Sequence, residues 1–122
     1  MSAATESPDW EKILPLAHTA RVVALAGKLL ALEKPAGIMT HPNKDVDRNF
    51  SLVRAAYDHE RERYHWSPAS PDAPGELFLL NRIDSPTSGL VLAALDEETA
   101  AQGRQAFANG EVDKTYYALV LG

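Results

Sequence analysis

The sequence predicts an α+β fold, a mixed and largely antiparallel sheet flanked by helices. Short apolar runs rich in Val, Leu and Ala recur at 22–25, 29–33, 77–83 and 90–95, each bounded by Gly, Pro, Asn or Asp. Stretches with helical patterning sit between some of these runs. The two kinds of segment do not alternate as regular strand–helix–strand units, which argues against a parallel doubly wound sheet. At 122 residues with 45% hydrophobic content, the chain is sized for one domain with a core of its own.

Taken in order, residues 1–9 are small and polar and are expected to be mobile. Ser7-Pro8-Asp9 reads as a helix start, with proline at the first helical position, and Pro15 limits that helix to about two turns. A division follows between an N-terminal segment, 1–20, that is mobile or partly helical, and a domain covering 21–122. Val22 to Leu25 and Lys28 to Glu33 read as a hairpin around Ala26-Gly27. A continuous helix over 16–33 is the rival reading, because Ala and Leu favour helix; the glycine and the Val22-Val23 pair favour the hairpin. Lys34-Pro35-Ala36-Gly37 stops the second strand, Ile38 to Pro42 is a short extended piece, and Asn43 to Arg48 is a charged loop. Ser51 to about His65 is expected to be a helix, with Leu52, Val53, Ala55, Ala56 and Tyr57 as its apolar stripe. Ser67 to Gly75, with Pro68, Pro71 and Pro74, is a loop inserted within the domain. Glu76 to Ile83 and Leu90 to Leu95 are strands. Asp96 caps a helix from Glu97 to Asn109, which Gly110 closes. Lys114 to Leu121 is a last strand.

Composition removes several classes of function. There is no cysteine, hence no disulfide, thiolate metal site or thiol nucleophile, which fits a reducing compartment. No basic region followed by an apolar core opens the chain, and no apolar run approaches the roughly 20 residues of a membrane span. A soluble, cytoplasmic protein without membrane association is the expectation. Net charge is −5, all of it from residues 67–122, since residues 1–66 balance nine Lys/Arg against nine Asp/Glu. An acidic balance argues against nucleic-acid binding held by charge alone, but not against a local basic groove. His59 and His65 are six apart rather than the four that one helical face requires for metal, and His18 and His41 have no ligand set around them in sequence; no metal site is expected. Tyr57, Tyr64 and Trp66 offer a stacking surface for bases, although packing is the commoner role of such residues.

The polar break in Leu79-Leu80-Asn81-Arg82-Ile83-Asp84-Ser85-Pro86-Thr87-Ser88-Gly89-Leu90 is where chemistry concentrates. It places one arginine, one carboxylate and two hydroxyls in a turn between apolar runs, the position where rigid scaffolds display reactive groups. On spacing alone Asp84 is a structural ion pair, a turn cap, a metal ligand or a nucleophile, and the structural roles are the commoner. Thr87 and Ser88 have turn satisfaction as their plain alternative, and Gly89 a backbone angle that other residues resist.

Three motifs in order resemble the RluA-type RNA pseudouridine synthases. Arg82-Ile83-Asp84 with Thr87-Ser88-Gly89-Leu90 resembles that family's His-Arg-Leu-Asp-x-x-Thr-Ser-Gly-Leu. Leu30 to Ile38 with His41-Pro42 resembles its Lys-Pro-Ala-Gly motif and the His-Pro that follows. Lys114-Thr115-Tyr116-Tyr117-Ala118-Leu119-Val120 resembles its Lys-Thr-Tyr-x-Ala-Leu-Val strand. The resemblance covers roughly 21–122 and implies the first half of the synthase catalytic domain. It implies a cofactor-free isomerase acting on uridine in ribosomal or transfer RNA. In that reading Asp84 acts at the sugar carbon, Tyr116 packs on the uracil and is suited to proton removal at carbon 5, and Arg82 enters the space left by the flipped base and contacts RNA. Lys34 supports the site or contacts phosphate, with support the weightier role. Pro35, Gly37, Thr87, Ser88 and Gly89 shape it. Two departures stand out. Asn81 replaces the family histidine, and Ile83 replaces leucine. The resemblance further implies that the domain is cut short at its C-terminus, with a sheet edge open to self-association. The alternative is a truncated or degenerate relative that binds RNA or a partner chain without catalysis.

Overall fold

The computed structural model describes residues 10–110. Its elements are α1 (Trp10–Ile13), β1 (Arg21–Ala26), β2 (Leu29–Lys34), a 3₁₀ turn (Asp45–Phe50), β3 (Ala56–Asp58), β4 (Arg63–His65), β5 (Glu76–Leu79), β6 (Gly89–Ala94) and α2 (Glu97–Ala108). The six strands form one sheet in the order β1-β2-β6-β5-β4-β3, antiparallel at every pairing. With α1 and α2 this is the α+β architecture that the sequence predicts. The helix start at Ser7-Pro8-Asp9 and the strand Lys114 to Leu121 lie outside the described residues.

The hairpin reading of 22–33 holds, and its rival helix does not. Gly27 turns the chain at φ +60, and β1 pairs β2 from Arg21↔Glu33 to Ala26↔Leu29. The reason is burial on alternate residues. Leu30 and Leu32 lie opposite Ala93 and Val91 of β6, and all four are fully buried. Leu79 pairs Ala93, Tyr64 pairs Leu77, and these three partners from β4 and β5 continue the same face. Each such buried Leu or Val contributes on the order of 1.5–3 kcal/mol.

That face is covered by two irregular segments rather than by a helix. Leu14, Leu16, Ala17 and Ala20 pack into the same core as Leu52, Val53 and Ala55. The segments are stitched together by Ala17 N–H to the Leu52 carbonyl at 2.8 Å and Arg54 N–H to the Pro15 carbonyl at 2.7 Å. Residues 14–20 are therefore part of the packed body.

The helix expected over 51–65 is a correction. Its stripe residues divide between two jobs: Leu52 and Val53 serve the covering segment, while Ala56 to Asp58 and Arg63 to His65 form a hairpin. Asp58 Oδ1 accepts from the N–H groups of Glu60 and Arg61 at 3.0 and 3.2 Å, and Glu62 takes φ +54, so the charged run folds into a turn. Tyr57 and Tyr64 meet edge-on across the ladder at 4.9 Å between ring centroids, a cross-strand aromatic pair. The charged loop after Asn43 likewise contains the 3₁₀ turn, in which Lys44 N–H reaches Asp47 Oδ2 at 3.1 Å.

The opposite face carries α2. Phe78, Ala94 and Ala100 are buried together with Leu80 against them. Asp96 caps α2 as expected, accepting from Thr99 N–H at 2.8 Å, and its other oxygen meets Lys28 Nζ at 3.0 Å. Among the described residues no helix is long and apolar enough to cross a membrane.

Candidate active site

The strand expected to run to Ile83 leaves the ladder after Leu79. Leu80 N–H still reaches the Leu92 carbonyl at 2.8 Å, and then Asn81 uses its side chain in place of its backbone. Asn81 Oδ1 accepts from Leu92 N–H at 2.7 Å, and Nδ2 donates to the Leu90 carbonyl at 3.3 Å. The carboxamide thus completes the edge of β6 while the main chain is released into the loop that carries Arg82 and Asp84. The position where the resemblance has histidine is here a backbone clip.

The loop is fixed from two directions. Thr40 Oγ1 donates to the Ile83 carbonyl at 2.7 Å and accepts from Ile83 N–H at 3.1 Å. Tyr64, fully buried, donates its hydroxyl to the Thr40 carbonyl, which anchors Thr40 to the sheet; burial also pushes the Tyr64 phenol up from its ordinary range. On the other side Gly37 N–H meets the Ser85 carbonyl at 2.7 Å. Gly37 holds φ +94, open to glycine at little cost, and this is what lets the Lys34-Pro35-Ala36-Gly37 loop fold back onto Ser85.

Lys34 is the centre of that second tie. It is wholly buried, and Nζ donates to the carbonyls of Pro35 at 2.8 Å, Ile38 at 2.6 Å and Ser85 at 3.1 Å. Its three N–H donors each meet a main-chain carbonyl, an arrangement that suits the supporting role more than the phosphate contact. Burial lowers its pKa. Pro35 and Gly37 complete the same loop, and Gly89 pairs with Lys34 across β2 and β6. Thr87 closes the turn, its N–H on the Asp84 carbonyl at 2.9 Å, and its side chain and that of Ser88 are exposed.

Met39, Thr40, His41, Asn43, Arg82, Ile83, Asp84 and Ser85 line an open cleft of about 460 Å³. Asp84 is exposed. Among the described residues its carboxylate has neither a hydrogen bond nor an ion pair, with Arg82 or with any other group. Of the structural roles open to Asp84, a pair with Arg82 is thereby set aside. Arg82 instead directs Nη1 at His41 Nε2, 3.4 Å away.

His41 is far from the solitary histidine that its sequence position suggests. Its ring stacks on Tyr57 at 4.7 Å and 5°, and meets His59 edge-on at 5.2 Å. Tyr57 also meets His59 at 5.0 Å. Burial lowers the His41 pKa, and the neighbouring His59 and Arg82 push the same way. Burial pushes the Tyr57 phenol up to about 12. Tyr57 and Tyr64 therefore pack rather than offer a free stacking face, while His59 and His65, paired in sequence by proximity, stand apart in role: His59 joins the aromatic cluster and His65 is exposed on β4. Thr40 was invisible to sequence reasoning, since its importance rests on a partner 43 residues away. Among the described residues no three His, Asp or Glu side chains gather as a metal would require. Tyr116 lies outside the described residues.

The family model for RNA pseudouridylate synthase matches residues 28–121. The tRNA pseudouridine synthase C of Vibrio cholerae is 32% identical over 94 residues, covering 77% of this chain and 34% of that protein. The corresponding protein of Vibrio vulnificus is 32% identical over 93 residues, covering 76% of this chain and 33% of its own length. The mitochondrial pseudouridylate synthase RPUSD4 of Xenopus tropicalis is 33% identical over 103 residues, covering 84% and 29% respectively. The chain spans about a third of the length of these curated relatives. No solved structure matches it. With the Arg82-to-Leu90 loop and the Lys34-to-Pro42 segment both inside the matched region and folded against each other, the chain belongs to the RNA pseudouridylate synthase family.

Proposed function

We propose that this chain carries the aspartate-bearing part of an RNA pseudouridine synthase active site and that Asp84 is its catalytic carboxylate. The observation that carries the reading is an unengaged carboxylate in an open cleft, on a turn whose main chain is tied down by Lys34, Gly37 and Thr40. A turn so heavily fixed around a side chain with no partner among the described residues is the arrangement expected of a preorganised reactive group.

The reaction is an isomerisation. The bond between C1′ and N1 of uridine breaks, the uracil turns, C5 bonds to C1′, and the proton on C5 is lost while N1 gains one. No electrons are gained or lost overall, so the reading calls for no cofactor. Asp84 attacks C1′ or assists loss of the 2′ proton on the way to a glycal, work that suits a carboxylate at a sugar carbon. Arg82, exposed beside Asp84 on the cleft wall, contacts the RNA around the flipped nucleotide. Tyr116 packs on the uracil and takes the C5 proton. Asn81, Thr87, Ser88 and Gly89 hold the turn. The names of the bacterial relatives make transfer RNA the first substrate to test and ribosomal RNA the second.

The full natural chain incubated with each RNA should form pseudouridine, read by nucleoside mass spectrometry after digestion. Asp84→Asn, which keeps the shape and removes the charge, should lower the rate by on the order of a thousandfold or more. Absence of product from the wild-type chain with both RNAs, alongside retained RNA binding, would replace this reading with a non-catalytic RNA-binding one.

A further inference from the structure

The contacts of His41 fix its chemical form. Nδ1 lies 3.3 Å from the Pro42 carbonyl, an acceptor only, so Nδ1 carries the proton. Nε2 faces a guanidinium N–H of Arg82, a donor only, so Nε2 is the free acceptor. The ring plane is set by the Tyr57 stack behind it and by the edge of His59. Tyr57 is itself held against the buried Tyr64, which ties to the Thr40 carbonyl next to His41. An aromatic wall therefore presents one lone pair to a long, exposed arginine side chain.

We propose that His41 is a positioning residue that holds Arg82 in the cleft beside Asp84, through the lone pair of its neutral Nδ1–H tautomer. An unheld arginine loses several rotatable bonds' worth of freedom each time it engages RNA; one already held by His41 loses less. The proposal rests on the reading of Arg82 as an RNA contact. The device has a built-in pH dependence. Protonation of His41 removes the acceptor and places a second positive charge against Arg82, with His59 nearby adding to the repulsion and Glu62 opposing it. Among the described residues these are the titratable groups that face the ring, together with the Tyr57 phenol, which stays neutral. Since the His41 pKa lies below its ordinary 6.5, the contact is intact at neutral pH and is lost on acidification below that value.

The test uses the full natural chain. Nitrogen NMR of the His41 ring should report an unprotonated Nε2, and Arg82→Ala should move that signal; an Nε2 resonance that Arg82→Ala leaves in place overturns the proposal. In pseudouridine formation, His41→Ala should lower kcat/KM about tenfold, the loss of one hydrogen bond to a charged group, and should cost nothing further in an Arg82→Ala background. Additive losses would make the role of His41 merely structural. His41→Gln, whose carboxamide oxygen accepts without titrating, should recover most of the rate and abolish the fall below pH 6.5 expected of the wild type. The same acid fall in His41→Gln overturns the proposal even if His41→Ala does not fold. A wild-type chain that forms no pseudouridine would instead count against the catalytic reading, and the NMR arm would still decide the contact between His41 and Arg82.

Discussion

A wholly buried lysine with no counter-ion among the described residues is an expensive residue to place in a core. Lys34 is tolerated because its ammonium meets three carbonyls, and the last of these belongs to Ser85, 51 residues away and next to Asp84. The ammonium thus replaces a stretch of secondary structure: it collects carbonyls that no ladder reaches, and in doing so it places the Asp84 turn. Lys34→Met keeps the volume of the stem and leaves the Pro35 and Ile38 oxygens without this donor, while Ser85 retains Gly37 N–H. Two stranded carbonyls predict a destabilisation of about 2–4 kcal/mol in denaturant unfolding of the full chain. A loss of activity larger than the unfolded fraction explains should accompany it, because the turn that carries Asp84 loses a tie. A variant as stable as wild type would mean that water or a rearranged loop replaces the ammonium. The sequence made Lys34-Pro35-Ala36-Gly37 legible as a turn; it could not show where the side chain goes, because the deciding partner is distant along the chain.

At the scale of elements, legibility followed how local each determinant is. The β1–β2 hairpin, β6 and α2 were readable because alternation, a glycine turn and an aspartate cap act over a few residues. The stretch from Ser51 to His65 was misread because Leu52, Val53 and Tyr57 fall at a spacing that a helix also produces, whereas the pairing of Tyr57 with Tyr64 and the turn at Asp58 decide for strands. The premature end of β5 was hidden for the same reason: only the fold shows Asn81 bonding to β6. The cap at Asp96 carries a pH signature. Hydrogen bonds from the Thr99 side chain and main chain, with help from Lys28, hold its carboxyl down at about 2, below its ordinary 3.8. The folded pKa lies below the unfolded one, so the contribution is complete above 3.8 and is lost as pH falls through about 2. Thermal unfolding followed from pH 5 downward should therefore show a fall across that window which Asp96→Ala lacks, and hydrogen exchange at Thr99 N–H should accelerate in the variant at neutral pH. An identical pH profile in both proteins would assign the acid sensitivity to other carboxylates.

Across the whole molecule, the candidate site exists only as a consequence of long-range closure. Thr40 and Ile83 are 43 residues apart, Lys34 and Ser85 are 51 apart, and both pairs meet because β2 lies beside β6 in the centre of the sheet. Family resemblance, not periodicity, is what singles out Asp84 in the sequence. The global charge constrains how the proposed RNA substrate would be held. With −5 over 122 residues, the chain has no overall attraction for a polyanion, so the RNA binding proposed above would fall to a few local cations, of which Arg82 is exposed in the cleft. Each phosphate neutralised contributes about 0.7 to the slope of log affinity against log salt on a single strand. If Arg82 neutralises one phosphate at the flipped nucleotide, Arg82→Ala should make that slope shallower by about 0.7. The measurement is RNA affinity across a salt series in the full chain carrying Asp84→Asn, so that turnover does not change the ligand. A slope unchanged by Arg82→Ala, with affinity nonetheless reduced, would show that the guanidinium stacks on a base instead of meeting phosphate, since stacking releases no counterion.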